Sequence, residues 1–299
     1  MHSAAGEEEL LNYDSPRDIR ETLQREGIGP KKRWGQNFLI DGNTRRAIVA
    51  LADRRSGERL WEIGPGIGAL TELLLQSGGV TAFEIDWGLV EFLRRQFADA
   101  PLGIVAGDAV DTIRPTAERE GAPEVVLGNL PYRSASPIVA ELVELARPPR
   151  RIVVTVQKEM ADRMLAAPGA KDYSAFSVAV QTVYSVNRAF DIRPACFYPA
   201  PEVMSTVVVL SLAEDRAATA DRALFRAVKD ALFAGRRKTV LNNLKGRRDL
   251  GIGDSEAARA LLQRSGIDPA SRAEQLPSQL FVRLANLLSE ARGGGSPPS

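Results

Sequence analysis

The sequence predicts an α/β fold, a mostly parallel and doubly wound sheet followed by a small all-helical domain. Three observations carry this. Short β-branched and apolar runs alternate with stretches of helical spacing from residue 60 to residue 156, as repeated βαβ units require. The first run ends in a glycine-rich turn, Gly64-Pro65-Gly66-Ile67-Gly68. From Leu224 onward the apolar residues (Leu224, Val228, Leu232, then Val240, Leu244, Leu261, Phe281, Leu288) recur at helical spacing alone.

Taken in order, residues 1–16 are polar and acidic and read as a disordered extension. Ile19 and Leu23 share one face of a helix over 16–26. A loop over 31–40 leads to Asn43-Thr44, which opens a helix through Ala47, Ile48 and Leu51. Strands are expected at 60–63, 80–85, 102–106, 125–127 and 152–156, with helices at 69–76, 87–97 and 137–146. Residues 178–186 and 203–210 are rich in β-branched side chains and read as the late strands of the sheet. The expected division is an extension at 1–16, a catalytic domain at 17–212, a helical domain at 213–290 and a disordered tail at 291–299.

Composition limits the chemistry. With 44% hydrophobic and 26% charged residues the chain can bury a core, and no apolar run approaches the ~20 residues of a membrane span. Glu7-Glu8-Glu9 stand where a secretory signal carries positive charge, so a cytoplasmic protein is expected. Cys196 is the only cysteine and His2 the only histidine. That excludes an internal disulfide and a cysteine-rich zinc site, and it argues against histidine general-base catalysis. No metal is expected. Net charge is only +1, yet basic residues cluster at Lys31-Lys32-Arg33 and from Arg226 to Arg248, where eight stand against Asp230 alone. Such clusters suit a polyanion. Arg236, Arg237 and Lys238 join Lys31, Lys32 and Arg33 as candidate contacts to it.

The glycine turn permits close approach of a ligand to bare backbone at Gly64 and Gly66. Glu84 follows twenty positions after Gly64, at a strand end where an acid binds ribose hydroxyls. Gly64-x-Gly66-x-x-Ala69 also satisfies the dinucleotide fingerprint, which keeps a nicotinamide oxidoreductase open. Against it, the turn holds Pro65 and no basic residue follows until Arg94 to serve a pyrophosphate. Asp108 ends the third strand, placed to accept from an adenine amine. S-adenosyl-L-methionine fits this set better.

The fourth strand ends in Asn129-Leu130-Pro131-Tyr132. Asn129 offers a side-chain carbonyl, Leu130 a main-chain carbonyl restrained by Pro131, and Tyr132 a stacking face. A planar nitrogen-bearing group suits this element. Phe197 is the candidate for the opposite face of that group, with a core aromatic as the alternative.

The chain resembles the small-subunit ribosomal RNA adenine dimethyltransferases, the kasugamycin-resistance family. The matching motifs are Lys32-Arg-Trp-Gly-Gln-Asn-Phe-Leu39, Glu62-Ile-Gly-Pro-Gly66, Glu84-Ile-Asp86, Gly128-Asn-Leu-Pro-Tyr132, Gln157-Lys-Glu159, Phe197-Tyr-Pro-Ala-Pro-Glu-Val203, Arg236-Arg-Lys-Thr239 and Gly266-Ile-Asp-Pro269, with Arg272-Ala-Glu274. The resemblance implies a Rossmann-like, seven-stranded methyltransferase sheet with a C-terminal helical RNA-binding domain. It implies cofactor contacts from Asn37, Leu39, Gly64, Glu84, Asp108 and Asn129, and dimethylation of two adjacent adenosines near the 3' end of small-subunit rRNA, by a monomer acting on a pre-ribosomal particle. The family follows its tetrapeptide with Asn-Ile-Ser-Thr-Pro; here it is Arg133-Ser-Ala-Ser-Pro137. A large-subunit methylase of the erythromycin-resistance type shares the fold and a similar tetrapeptide. A non-catalytic RNA-binding assembly factor is the alternative from another class.

Overall fold

A computed structural model describes residues 11–28, 36–214 and 219–293. In chain order the elements are α1 (Pro16–Arg25), β1 (Phe38–Leu39), α2 (Gly42–Ala50), β2 (Leu60–Ile63), α3 (Thr71–Leu75), β3 (Val80–Glu84) and α4 (Trp87–Gln96). There follow β4 (Leu102–Ala106), α5 (Ala109–Glu120), β5 (Val125–Asn129), α6 (Ala135–Val143), β6 (Arg151–Gln157), α7 (Lys158–Leu165) and α8 (Ala175–Val183). The chain continues with β7 (Tyr184–Ile192), β8 (Phe197–Tyr198), β9 (Ser205–Leu212), α9 (Arg222–Phe233), α10 (Val240–Leu244), α11 (Ser255–Ser265) and α12 (Ser278–Gly293).

Seven strands form one sheet in the order β4-β3-β2-β5-β6-β9-β7. The pairs from β4 to β6 are parallel, and β9 runs antiparallel to β6 with Ser205 opposite Gln157. Strand order reverses between β2 and β5. In an open α/β sheet a crevice opens beyond the carboxyl ends of the strands at such a switch point. The strands are buried on both faces, so they read as unbroken apolar runs: Val125, Val126, Leu127, Val153 and Val154 have no exposed surface.

Residues 178–183 are helix rather than strand; only 184–186 of the expected strand belong to one. Ser174 caps α8, accepting from Ser177 N while Ser177 Oγ accepts from Ser174 N, and β7 begins only at Tyr184. The reciprocal serine cap and burial of Val178 in the helical core override the β-branched composition. A helix absent from the sequence expectation, α5, starts where Asp108 accepts from Val110 N.

Two compact units emerge. Of the described residues, the first takes those up to 161 together with 187–211, and the second 162–186 together with those from 212 onward. A single boundary at 212 therefore does not describe them, because α8 packs with the late helices: Tyr173 and Val178 share a core with Leu224, Val228, Leu262 and Phe281, and Tyr173 donates to Leu276 O at 2.9 Å.

The expected disordered extension is also corrected over 11–16; residues 1–10 lie outside the described residues. Leu11 and Tyr13 are buried, and the Tyr13 hydroxyl donates to Ile67 O at 2.6 Å, in the glycine turn. Tyr13 stacks with Phe97 and lies under the Arg45 guanidinium. Arg45, itself buried, donates to Ala69 O, Glu72 and Asp14. Of the tail, α12 extends to Gly293 and the rest lies outside the described residues. No helix among the described residues is long and apolar enough to cross a membrane.

Candidate active site

A cavity of about 400 Å³ opens at the switch point. Asn37, Leu39, Gly64, Gly66, Glu84, Asp108, Asn129, Leu130, Pro131 and Tyr132 all line it. Four strand ends and the β1 segment thus bring together residues separated by almost a hundred positions.

Each wall follows from local sequence. The chain leaves β2 through Gly64 and Gly66, whose φ angles of 70° and 59° suit glycine and strain other residues. A Cβ on Gly66 would stand 3.0 Å from the Phe38 ring, so the backbone there is bare by steric need. Glu84 ends β3; its carboxylate accepts from Gly66 N at 3.2 Å and from Asp86 N at 2.9 Å, tying the glycine turn to the neighbouring strand. Asp108 ends the β4 segment. Its Oδ1 caps α5, which leaves Oδ2 for a ligand.

Two acids share this buried corner. Burial pushes both Glu62 and Glu84 up to about 7, opposed at Glu62 by the hydroxyl of Thr71 and at Glu84 by the two backbone donors. Glu62 appeared in the sequence only as part of a motif. Its place on the cavity wall follows from strand register, since it stands one residue before the end of β2, beside the turn.

Asn129 ends β5 with its Nδ2 donating to Asn37 O at 2.8 Å. The amide is thereby oriented: with Nδ2 committed to the main chain, Oδ1 is the acceptor for a ligand. Leu130 N donates to Thr155 O at 3.0 Å, carrying the β5–β6 ladder one residue past the strand. Ser134 N then donates to Pro131 O and turns the chain into α6. Tyr132 is half-buried, its hydroxyl 2.8 Å from Ser205 Oγ, and burial raises its pKa. Arg133 is exposed at the cavity mouth. Thr155 Oγ1, on the adjoining strand, is a buried polar atom without a hydrogen-bond partner.

The structure does not bring Phe197 to the cavity. It is 3% exposed and packs with Leu39, Ile48 and Val207, its strand pairing with β1. Pairing of Phe197 with Leu39 makes it a core aromatic that supports the cavity wall from behind. Arg236, Arg237 and Lys238 lie exposed between α9 and α10 in the second unit, where Arg236 is paired with Glu274 at 3.4 Å. Lys229 pairs with Asp230, and Arg247 with Asp249. The basic segment is therefore partly neutralised, by Asp230 within it and by Asp249 and Glu274 beyond it. Lys31, Lys32 and Arg33 lie outside the described residues. Among the described residues no group of three or more metal-binding side chains occurs.

The sheet order, with its antiparallel strand beside β6, the glycine turn and the acids ending β3 and β4, defines an S-adenosylmethionine-dependent methyltransferase. The cavity suits that cofactor, with bare backbone at Gly66 and carboxylates placed for hydroxyl and amine donors.

The chain belongs to the ribosomal RNA adenine dimethylase family, whose model matches residues 29–290. It is 42% identical over 279 residues to the ribosomal RNA small subunit methyltransferase A of Treponema pallidum, covering 93% of this chain and 97% of that protein. A dimethyladenosine transferase from Plasmodium falciparum shares the fold with a TM-score of 0.73 at 23% identity, over 86% of this chain and 98% of that one. The 23S rRNA methyltransferase ErmE shares it with a TM-score of 0.59 at 24% identity, over 85% of this chain and all of that one.

Proposed function

We propose that this protein dimethylates the exocyclic amines of two adjacent adenosines near the 3' end of small-subunit rRNA, acting as a monomer in the cytoplasm on a pre-ribosomal particle. The observation that carries the reading is the anchored Asn129 amide, whose Oδ1 is left as an acceptor in a cavity that Glu84 and Asp108 also line. S-adenosylmethionine bound there supplies an electrophilic methyl group. Glu84 would receive its ribose hydroxyls, Asp108 Oδ2 its adenine amine, and Gly64, Gly66, Asn37 and Leu39 would enclose it.

The residues of this chain then act on the target base. Asn129 Oδ1 and the Leu130 carbonyl accept the two amine hydrogens, which draws the nitrogen lone pair out of conjugation with the ring. Holding reactants in near-attack geometry is worth on the order of 7–11 kcal/mol. Neither acceptor is a strong base, which suits a cavity lined without histidine. Tyr132 stacks on the base, contributing roughly 1–3 kcal/mol against the few kcal/mol that unstacking costs. Arg237 and Lys238 contact phosphates and position the RNA without reading its sequence.

The fold alone does not separate small-subunit from large-subunit methylases, since ErmE shares it. The 42% identity to a small-subunit enzyme across nearly the whole chain favours the former. Methyl-labelled S-adenosylmethionine supplied with small subunits lacking the modification tests this. Label is expected on two adjacent adenosines of the small-subunit RNA; label in large-subunit RNA, in protein or nowhere overturns it.

A further inference from the structure

Ser205 opens β9 and is fully buried, directly ahead of Thr206 and the apolar run Val207, Val208, Val209 and Leu210. A hydroxyl buried in an apolar strand costs free energy unless it is hydrogen-bonded, and alanine or valine fills a strand position without that cost. Each of these two hydroxyls must therefore have a partner. For Thr206 the partner is structural: its hydroxyl donates to Asp191 Oδ1 at 2.7 Å, and Asp191 pairs with Arg188. For Ser205 the partner is the Tyr132 hydroxyl, 73 residues away in the chain and on the wall of the active-site cavity.

The surroundings make Ser205 a firm anchor. It sits opposite Gln157 in the β6–β9 ladder, and Lys158 N donates to Met204 O just before it. Asn129 pairs with Thr155 on the other edge of β6, so one strand braces both the acceptor of the target amine and the strand that holds the ring. Tyr132, by contrast, stands on a short turn beyond the end of β5 and is only half-buried. Its own segment pins the backbone, through Pro131 and the Ser134–Pro131 hydrogen bond, and leaves the outer end of the side chain to be held from elsewhere.

We infer that Ser205 is a positioning residue for methyl transfer: its hydroxyl pins the far end of Tyr132 and fixes the tilt of the ring on which the target base stacks. The phenol oxygen lies on the rotation axis of the ring, so the bond does not prevent ring flips. It restrains χ1, and with it the height and angle of the stacking face over Asn129 Oδ1. Small errors in that angle matter because transfer needs near-attack geometry. The tether acts through Tyr132 and touches neither base nor cofactor. This inference rests on the function proposed above.

A double-mutant cycle on the full-length protein tests it, with Ser205→Ala, Tyr132→Phe and the double variant compared in single-turnover methyl transfer to small subunits. Tyr132→Phe keeps the ring and loses only the hydroxyl. Each single variant is expected to slow transfer roughly two- to tenfold, the range of one neutral hydrogen bond. The double variant is expected to be no slower than the slower single one, with S-adenosylmethionine affinity held, whereas Tyr132→Phe alone is expected to lower Tm because it leaves the buried Ser205 hydroxyl unpaired. Ser205→Cys, of similar size and weaker hydrogen bonding, gives the same comparison if the alanine variant does not fold. Multiplicative losses, unchanged rates, or a slowing matched by loss of cofactor affinity overturn the tether while wild-type transfer leaves the functional reading standing. Absence of transfer by the wild type overturns both.

Discussion

Asn129 Nδ2 donates to the main-chain carbonyl of Asn37 at 2.8 Å, joining the end of β5 to the segment that leads into β1. One half of the Asn129 amide is consumed in orienting the other half. The N-terminal wall of the cavity thus does more than line it: it decides which atom of Asn129 is left as an acceptor.

Two substitutions separate these roles. Asn129→Ala removes the acceptor and is expected to abolish transfer while RNA affinity, measured by filter binding, stays within about twofold of wild type. Asn129→Asp keeps an acceptor but sets a carboxylate oxygen against Asn37 O, so a loss of at least about tenfold in kcat is expected from one unmade hydrogen bond and the repulsion that replaces it. Retention of full activity by the Asp variant would show that the Asn37 contact orients nothing.

Glu62 and Glu84, both pushed up to about 7, make the site sensitive to pH. Each is raised above its unfolded value near 4.5, so below about 4.5 both states are protonated and the shift has no effect on stability. Between about 4.5 and 7 the folded state holds the extra protons, and stability falls as pH rises. A cationic cofactor favours the ionised acids, so its binding is expected to release protons and to tighten from pH 6 to pH 8. Calorimetry in buffers of different ionisation enthalpy measures that release, and S-adenosylhomocysteine, which lacks the sulfonium charge, is expected to show less of it.

Thr155→Val tests the unpaired hydroxyl beside the site. The hydroxyl is buried without a partner, so an apolar group of the same shape is expected to stabilise the protein by about 1 kcal/mol or more. Thermal melts read this as a higher Tm. A lower Tm would mean that the hydroxyl finds a partner in solution.

Replacing Arg237 and Lys238 with Gln is expected to weaken RNA binding and to lessen its salt dependence by about 0.7–0.9 in slope for each lost phosphate contact. Arg236→Gln is expected to matter less, because Glu274 already engages that guanidinium. Equal effects at all three positions would show that the ion pair opens when RNA binds.

The alternation of strands and helices, the glycine turn, the acids ending β3 and β4 and the Asn129-Leu130-Pro131-Tyr132 element were legible in the sequence, because each is local. A strand period, a turn that only glycine tolerates and an acceptor set confined to four consecutive residues are all written within a few positions. Contacts made across many residues were not. Tyr13 lies in what reads as a polar extension, yet it is buried by a hydroxyl bond to Ile67 O and a stacked Phe97 that no nearby residue announces. Residues 178–183 carry strand-like side chains, and it is the serine cap with the helical core around Val178 that makes them a helix. Phe197 has the chemistry of a stacking partner, and its place opposite Leu39 in a two-stranded pairing puts it in the core. The sequence by itself determined which groups are present and which strand ends carry them. Only the tertiary structure decided which atoms those groups present, because an amide or a phenol is oriented by partners that folding brings from elsewhere: Asn37 for Asn129, and Ser205 for Tyr132.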